Sequence, residues 1–326
     1  MRIWGCAHTG APVLAKTVNR LTCAALLALA SGPAPANAQA PAGLSTTAPA
    51  PAAAPAAAAP EGSVAGMGDI NLFPKRVVID DHTRVASIGL YNKVPVTGDY
   101  DIAITDMMMT GEGRLVDLAS VTDPAAKARV RAASALLRWS PHRVTLPGSE
   151  SQMVRVMAHL PPDLPPGEYR AHFSAVAVPP GEDGLSIEQA AGEQKTAQGI
   201  GVRITPRFGI SIPVIIRVGA TTLDVGFKDM ALVNTPAGKV LNFALTRQGT
   251  RSAFGDIAVV APGLKAPLAL IKGIGVYTEL DQRQVHIALD PKLAANYAPG
   301  TRLTITYTDD DATPGKVLAR QEFIVP

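Results

Sequence analysis

The side chains that could carry chemistry in this chain are few, and their spacing points to binding rather than catalysis. Six histidines stand at His8, His82, His142, His159, His172 and His286, never at the spacing of a shared metal. Both cysteines, Cys6 and Cys23, lie close to the N-terminus. No G-x-S-x-G elbow and no Walker-type phosphate loop is present. Gly199-Ile200-Gly201 and Gly273-Ile274-Gly275 lack the third glycine and the strand–helix setting of a dinucleotide site. Asp309-Asp310-Asp311 lacks the wider ligand spacing of a calcium loop and reads as a solvated acidic turn. Met107-Met108-Met109 reads as adaptable packing rather than as soft-metal ligands. The expectation is a protein that is not an enzyme and needs neither metal nor cofactor.

What remains is the chemistry of a strand. From Ile200 the even positions are apolar or ring residues: Ile200, Val202, Ile204, Pro206, Phe208, Ile210 and Ile212. The odd positions carry Gly201, Arg203, Thr205, Arg207, Gly209 and Ser211. Such period-two alternation marks a strand with one face in apolar surroundings. Continued to Arg217, it exceeds the roughly 3–10 residues of ordinary strands. Two readings are open. One is a single long structural strand, bent at Pro206. The other is a strand lent to a second protein, with main-chain bonds giving affinity and alternate side chains giving specificity.

The elements that hold this strand follow from composition and texture. The chain has 326 residues, 47% of them hydrophobic, enough for two cores. A net charge of +3 and sparse aromatics argue against a nucleic-acid partner. No run after the leader reaches the ~18 apolar residues of a membrane span. At the N-terminus, Lys16 and Arg20 precede the apolar run Leu21–Ala30 and the small residues ending in Ala36-Asn37-Ala38. That order predicts a secretory signal over 1–38 and an exported product without disulfides. Residues 39–67 are dominated by Ala and Pro, which predicts a flexible or polyproline-like tether.

From Asp69 onward, short alternating runs are separated by Pro and Gly, the texture of antiparallel sandwiches. Asp123, Pro124 and the alanines after them predict a helix of one to three turns over Pro124–Leu137. A polar loop over Pro179–Gln198 leads into the alternating strand. After Gly219 a second series begins, with strands predicted at Leu223–Phe227, Val240–Leu245, Ile257–Val260, Gln284–Leu289, Leu303–Thr308 and Val317–Val325. The expected fold is all-β: two tandem immunoglobulin-like sandwiches, over 68–218 and 219–326.

Four fragments in this order resemble the PapD-like periplasmic chaperones of the chaperone–usher pathway. They are Phe73-Pro74-Lys75-Arg76-Val77-Val78, the stretch Trp139–Val156, Pro166-Gly167-Glu168-Tyr169-Arg170-Ala171-His172-Phe173, and the alternating strand ending in Ile212-Pro213-Val214-Ile215-Ile216-Arg217. The resemblance implies a periplasmic chaperone that caps incomplete pilus or fimbrial subunits, with an outer-membrane usher as a further partner. It implies that Ile200, Val202, Ile204, Phe208 and Ile210 are donated to the subunit. It also implies that Arg76 grips the subunit's terminal carboxylate, against the alternative of a solvated charge beside Lys75. Glu168, Arg217 and Asp309 match its interdomain salt-bridge set. The family's late donor-strand lysine is not matched, since Ser211 or Pro213 stands there; Arg207 is the nearby substitute. A structural or adhesive envelope module with the same fold is the alternative function.

Overall fold

The computed structural model describes residues 69–179 and 207–326, together with the backbone of Val64–Ala65. The predicted signal over 1–38, most of the tether, the polar loop beyond Pro179 and the start of the alternating strand lie outside the described residues. Two immunoglobulin-like β-sandwiches follow one another along the chain.

The first sandwich opens with β1 (Val64–Ala65), β2 (Ile70–Phe73), β3 (Val77–Ile79), β4 (Val85–Asn92) and β5 (Gly98–Thr105). A hairpin of β6 (Met107–Met109) and β7 (Leu115–Asp117) precedes the helix α1 (Pro124–Arg129). Then come β8 (Leu137–Ser140), β9 (Arg143–Leu146), β10 (Ser151–Ala158), β11 (Gly167–Val178) and β12 (Gly209–Val218). One sheet has the order β1-β2-β4-β10-β8, the other β3-β12-β11-β5-β9. The first strand is thus split. β2 joins one sheet, and after cis-Pro74 β3 crosses to the other, where it pairs in parallel with β12. Between the sheets lie the inward residues of each strand, among them Leu72, Ile88, Leu146, Val154, Phe173 and Ile212. The Tyr169 hydroxyl donates to the Pro165 carbonyl at 2.9 Å, the corner bond that fastens a sandwich strand to the turn before it.

Two expectations need correction here. Val64–Ala65, placed in the tether, instead ladders with Leu72 and Asn71, because the edge of β2 offers free backbone groups to an extended segment. The helix is shorter than Pro124–Leu137. Asp123 caps it by accepting from the Ala125 N–H, but it stops at Arg129. Beyond that point the backbone serves the sheet. Arg131 and Ala133 exchange bonds with Arg170, and the Asp106 carboxylate accepts from the Ala133 and Ser134 N–H groups. Tertiary hydrogen bonds override alanine's helix propensity.

The second sandwich holds β13 (Leu223–Thr235), β14 (Gly238–Gly249), β15 (Ala253–Val260), β16 (Ala269–Val276), β17 (Gln282–Ala288), β18 (Arg302–Asp309) and β19 (Val317–Ile324). Its sheets have the orders β13-β14-β17 and β16-β15-β18-β19. Sequence reading passed over β16, whose alternation is interrupted by Gly273 at φ +71°. There the ladder with β15 shifts register, and the Gly273 N–H donates to Asp256 at 2.9 Å.

Candidate functional site

Strand β12 organises the candidate site, because its two faces and its two halves meet different surroundings. Its even residues Ile210, Ile212, Val214 and Ile216 are all buried in the core of the first sandwich. Its odd residues face outward: Ser211 is exposed, Pro213 and Arg217 are partly covered, and Ile215 is buried beneath the second sandwich. On one side β12 pairs with β11 along its whole length. On the other, β3 pairs only with Val214, Ile215 and Ile216. Among the described residues, Gly209–Pro213 has no strand partner on that side.

The closed half belongs to a seam between the sandwiches. Glu168, Arg170 and His172 occupy alternate outward positions of β11, and each is almost wholly buried. Glu168 accepts from Arg217 Nε at 3.1 Å and from the backbone N–H and the hydroxyl of Ser252. Arg170 makes a forked pair with Glu279, at 3.0 and 2.7 Å, and donates to the Met107 carbonyl. Its guanidinium lies 3.5 Å from the centroid of the Tyr277 ring. His172 Nε2 is 3.3 Å from the Tyr277 hydroxyl, and its Nδ1 has no partner among the described residues. Burial, and after it the Arg170 charge, push the His172 pKa down to about 3, so the ring is held neutral. Burial likewise pushes Tyr277 up to about 12.

The β6–β7 hairpin adds a strap. The Gly111 carbonyl accepts from the Gln284 N–H at 2.8 Å, and the Met109 N–H donates to Glu279 at 2.8 Å. Met109 packs with Ile215, Phe254 and Tyr277 in an apolar cluster between the sandwiches. Arg170, His172, Tyr277 and Glu279 escaped sequence reading. Ionisable residues on alternate positions of a strand ordinarily mark its solvent face, and nothing local shows that a second domain covers them.

The three consecutive aspartates have three separate roles. Asp309 is buried and accepts from the Asp311 and Thr313 N–H groups, both at 2.9 Å, so it holds its own turn. Asp311 takes Arg217 and, at 3.6 Å, Arg251. Thus the acid that reaches Arg217 from the second sandwich is Asp311, not Asp309. Burial pulls the Arg217 pKa down, but Glu168 and Asp311 outweigh it and leave the pKa raised. Asp310 takes both Lys75 and Arg76. The run is therefore an engaged turn rather than a solvated one.

Arg76 directly precedes the residues of β3 that pair with β12, and its guanidinium sits 4.4 Å from the centroid of the Phe254 ring. Arg207 is elsewhere. It donates to the Ala177 carbonyl at 3.2 Å and lies 3.5 Å from Asp101, at the opposite end of β12. Some six residues of strand, about 20 Å, separate the two arginines. The structure does not bring them into one anchor. Of the residues expected to be donated, Ile200, Val202 and Ile204 lie outside the described residues. Phe208 is 43% exposed, whereas Ile210 is buried in its own sandwich. An apolar opening lies where these two meet, lined by Ile70, Tyr100, Ala177, Phe208 and Ile210 with Asp69 on its rim.

No family profile and no curated protein matches the chain. Solved structures similar to it include the YadV chaperone, at 13% identity over 79% of this chain and all of that chain, with a TM-score of 0.40. The E. coli chaperone DraB is similar at 10% identity over 79% of this chain and 96% of that chain, TM-score 0.39. The third is a chain of the CsuC–CsuE chaperone–tip adhesion subunit pre-assembly complex from archaic Csu pili of Acinetobacter baumannii. It is 12% identical over 78% of this chain and 98% of that chain, TM-score 0.40.

Proposed function

We propose that this protein is a periplasmic chaperone that caps pilus-type subunits by strand addition at the free edge of β12. The observation that carries this reading is the contrast along that edge: Val214–Ile216 is closed by β3, while Gly209–Pro213 has no strand partner there among the described residues and lies beside an apolar opening. A subunit with an unfinished sandwich exposes both an apolar groove and free backbone groups. Pairing with this edge would satisfy the backbone groups, and filling the groove would remove its apolar surface from water. Each fully buried large side chain contributes roughly 1.5–3 kcal/mol. The residues offered would be Phe208 and those preceding it, Ile200, Val202 and Ile204. Ile210 already serves its own core and would anchor the lent segment. Binding itself stabilises the subunit, so the activity requires no chemical step.

Two charge assignments complete the reading. Arg76, beside Lys75 at the far end of the open edge, would receive a subunit's terminal carboxylate. Glu168, Arg217 and Asp311, with Arg170 and Glu279, would fix the angle of the two sandwiches. The domains would then be 68–218 and 219–326, after a cleaved export signal and a tether.

The test is co-expression with a candidate pilus-type subunit in the periplasm, followed by hydrogen exchange on the purified pair. The amides of Gly209–Ile212 are expected to gain protection on binding, and Phe208→Asp to abolish recovery of the subunit while leaving the unfolding midpoint unchanged. Recovery of the subunit with those amides still exchanging freely would defeat strand addition and leave an envelope module without chaperone activity.

A further inference from the structure

We propose that Asp310 is a built-in occupant of the carboxylate site made by Lys75 and Arg76, and that a bound chain's terminal carboxylate enters by displacing it. The proposal rests on the chaperone reading and adds the regulation of its anchor. Arg76 Nη1 donates to Asp310 Oδ1 at 2.8 Å, Nη2 donates to the same oxygen, and Lys75 Nζ donates to Oδ2. Both carboxylate oxygens are therefore held by cations, as those of a chain terminus would be. Chemically the two ligands are the same group. The Arg76 side chain is 10% exposed and that of Asp310 14%, so the site is largely closed while the aspartate stays in it.

The surroundings allow this side chain to leave. Asp309 and Asp311 are committed to the turn and to the arginines of the seam, as described above. The Asp310 backbone is held separately, its N–H donating to the Phe254 carbonyl at 3.1 Å. Arg76 also lies over the Phe254 ring, a contact that does not involve the Asp310 carboxylate. Swinging the Asp310 carboxylate out would break its own pairs with Lys75 and Arg76 across the sandwiches, but it would leave the turn and the seam pairs of Asp311 and Glu279 in place. It would uncover a site already shaped for a carboxylate. Nearby Lys75 is half exposed, so the route from solvent is open on that side.

The experiment compares two synthetic probes: a peptide of about a dozen alternating Val and Ser residues with a free C-terminal carboxylate, and the same peptide amidated. Binding of each to the wild type and to Asp310→Asn is followed by fluorescence anisotropy, with the unfolding midpoint of both proteins recorded. Asp310→Asn is expected to strengthen binding of the free acid by about five- to tenfold and to leave the amide unchanged, since only the acid competes for Arg76 and Lys75. The acid-to-amide ratio is taken within one protein and does not depend on the fraction that is active. An unchanged or lowered ratio in the variant would overturn the proposal and leave Asp310 as a structural partner. If neither protein binds either peptide, the chaperone reading itself fails, and the proposal fails with it.

Discussion

The two halves of β12 share one alternating pattern and one core, yet they differ in everything outward. In Val214–Ile216 the edge is closed by β3, and the outward residues of this half are met by the second sandwich, Ile215 by its apolar side chains and Arg217 by Asp311. In Gly209–Pro213 the edge has no described partner and Ser211 faces solvent. Apolar alternation fixes only which face meets the core. Whether the edge and the outer face are closed depends on residues far away in sequence: Val77–Ile79 on one side, and Phe254, Tyr277 and Asp311 on the other. The half closed by the chain itself should behave as structure, and the half left open should tolerate change until a partner binds.

The sharpest way to break this contrast is to unpair the seam. Glu279→Ala leaves Arg170 buried without its counter-ion, and removing one partner of such a pair costs about 3–5 kcal/mol. The double replacement Arg170→Met with Glu279→Leu removes both charges and is expected to cost far less. Urea unfolding of the three proteins checks this; equal losses for the single and double variants would mean that burial of charge is not what the pair governs. Next in size is Ile215→Ala. Its side chain is fully buried between the sandwiches, so truncation should cost about 2–4 kcal/mol by the same measurement.

The reach of sequence reading follows the same division. Both sandwiches were legible, because strand periodicity and turn residues are local signals; Glu168 and Arg217, 49 positions apart, were singled out only through the family resemblance. Asp311 was confused with Asp309, since three identical residues in a turn are distinguished only by where each carboxylate points. Arg170 and His172 looked like a solvent face because the covering residues, Glu279 and Tyr277, lie over a hundred positions away. Where the helix ends was hidden because alanine content is local, whereas the bonds that Arg131 and Ala133 exchange with Arg170 are not. What the sequence concealed is the seam.

A third prediction uses pH to read the seam. His172 has a folded-state pKa of about 3, against an ordinary value of 6.5 in the unfolded chain. Its charged and polar neighbours are Arg170 and Tyr277. Between those pH values the unfolded state binds the extra proton, so stability falls as pH drops below 6.5 and the loss levels off near 3. The slope is about 1.4 kcal/mol per pH unit, or about 2 kcal/mol by about pH 5. His172→Gln removes this term. Its stability relative to wild type should therefore improve by that amount between about pH 7.5 and about pH 5, and a constant difference would show that the histidine is not held neutral.

The smallest expected effect lies in the open half. Phe208→Ala truncates a ring that is 43% exposed, in a segment with no described partner on its free edge. Surface truncations of this kind usually change stability by no more than about 0.5 kcal/mol. Unfolding should hardly distinguish the variant from wild type, even though the ring is the largest apolar group at the opening beside Ile210. Set against Ile215→Ala, seven positions along, the ratio of the two losses measures how unequally one strand divides between fold and partner. A cost for Phe208→Ala as large as that for Ile215→Ala would mean that the ring is already sequestered by its own chain, leaving this end of β12 with nothing to offer another protein.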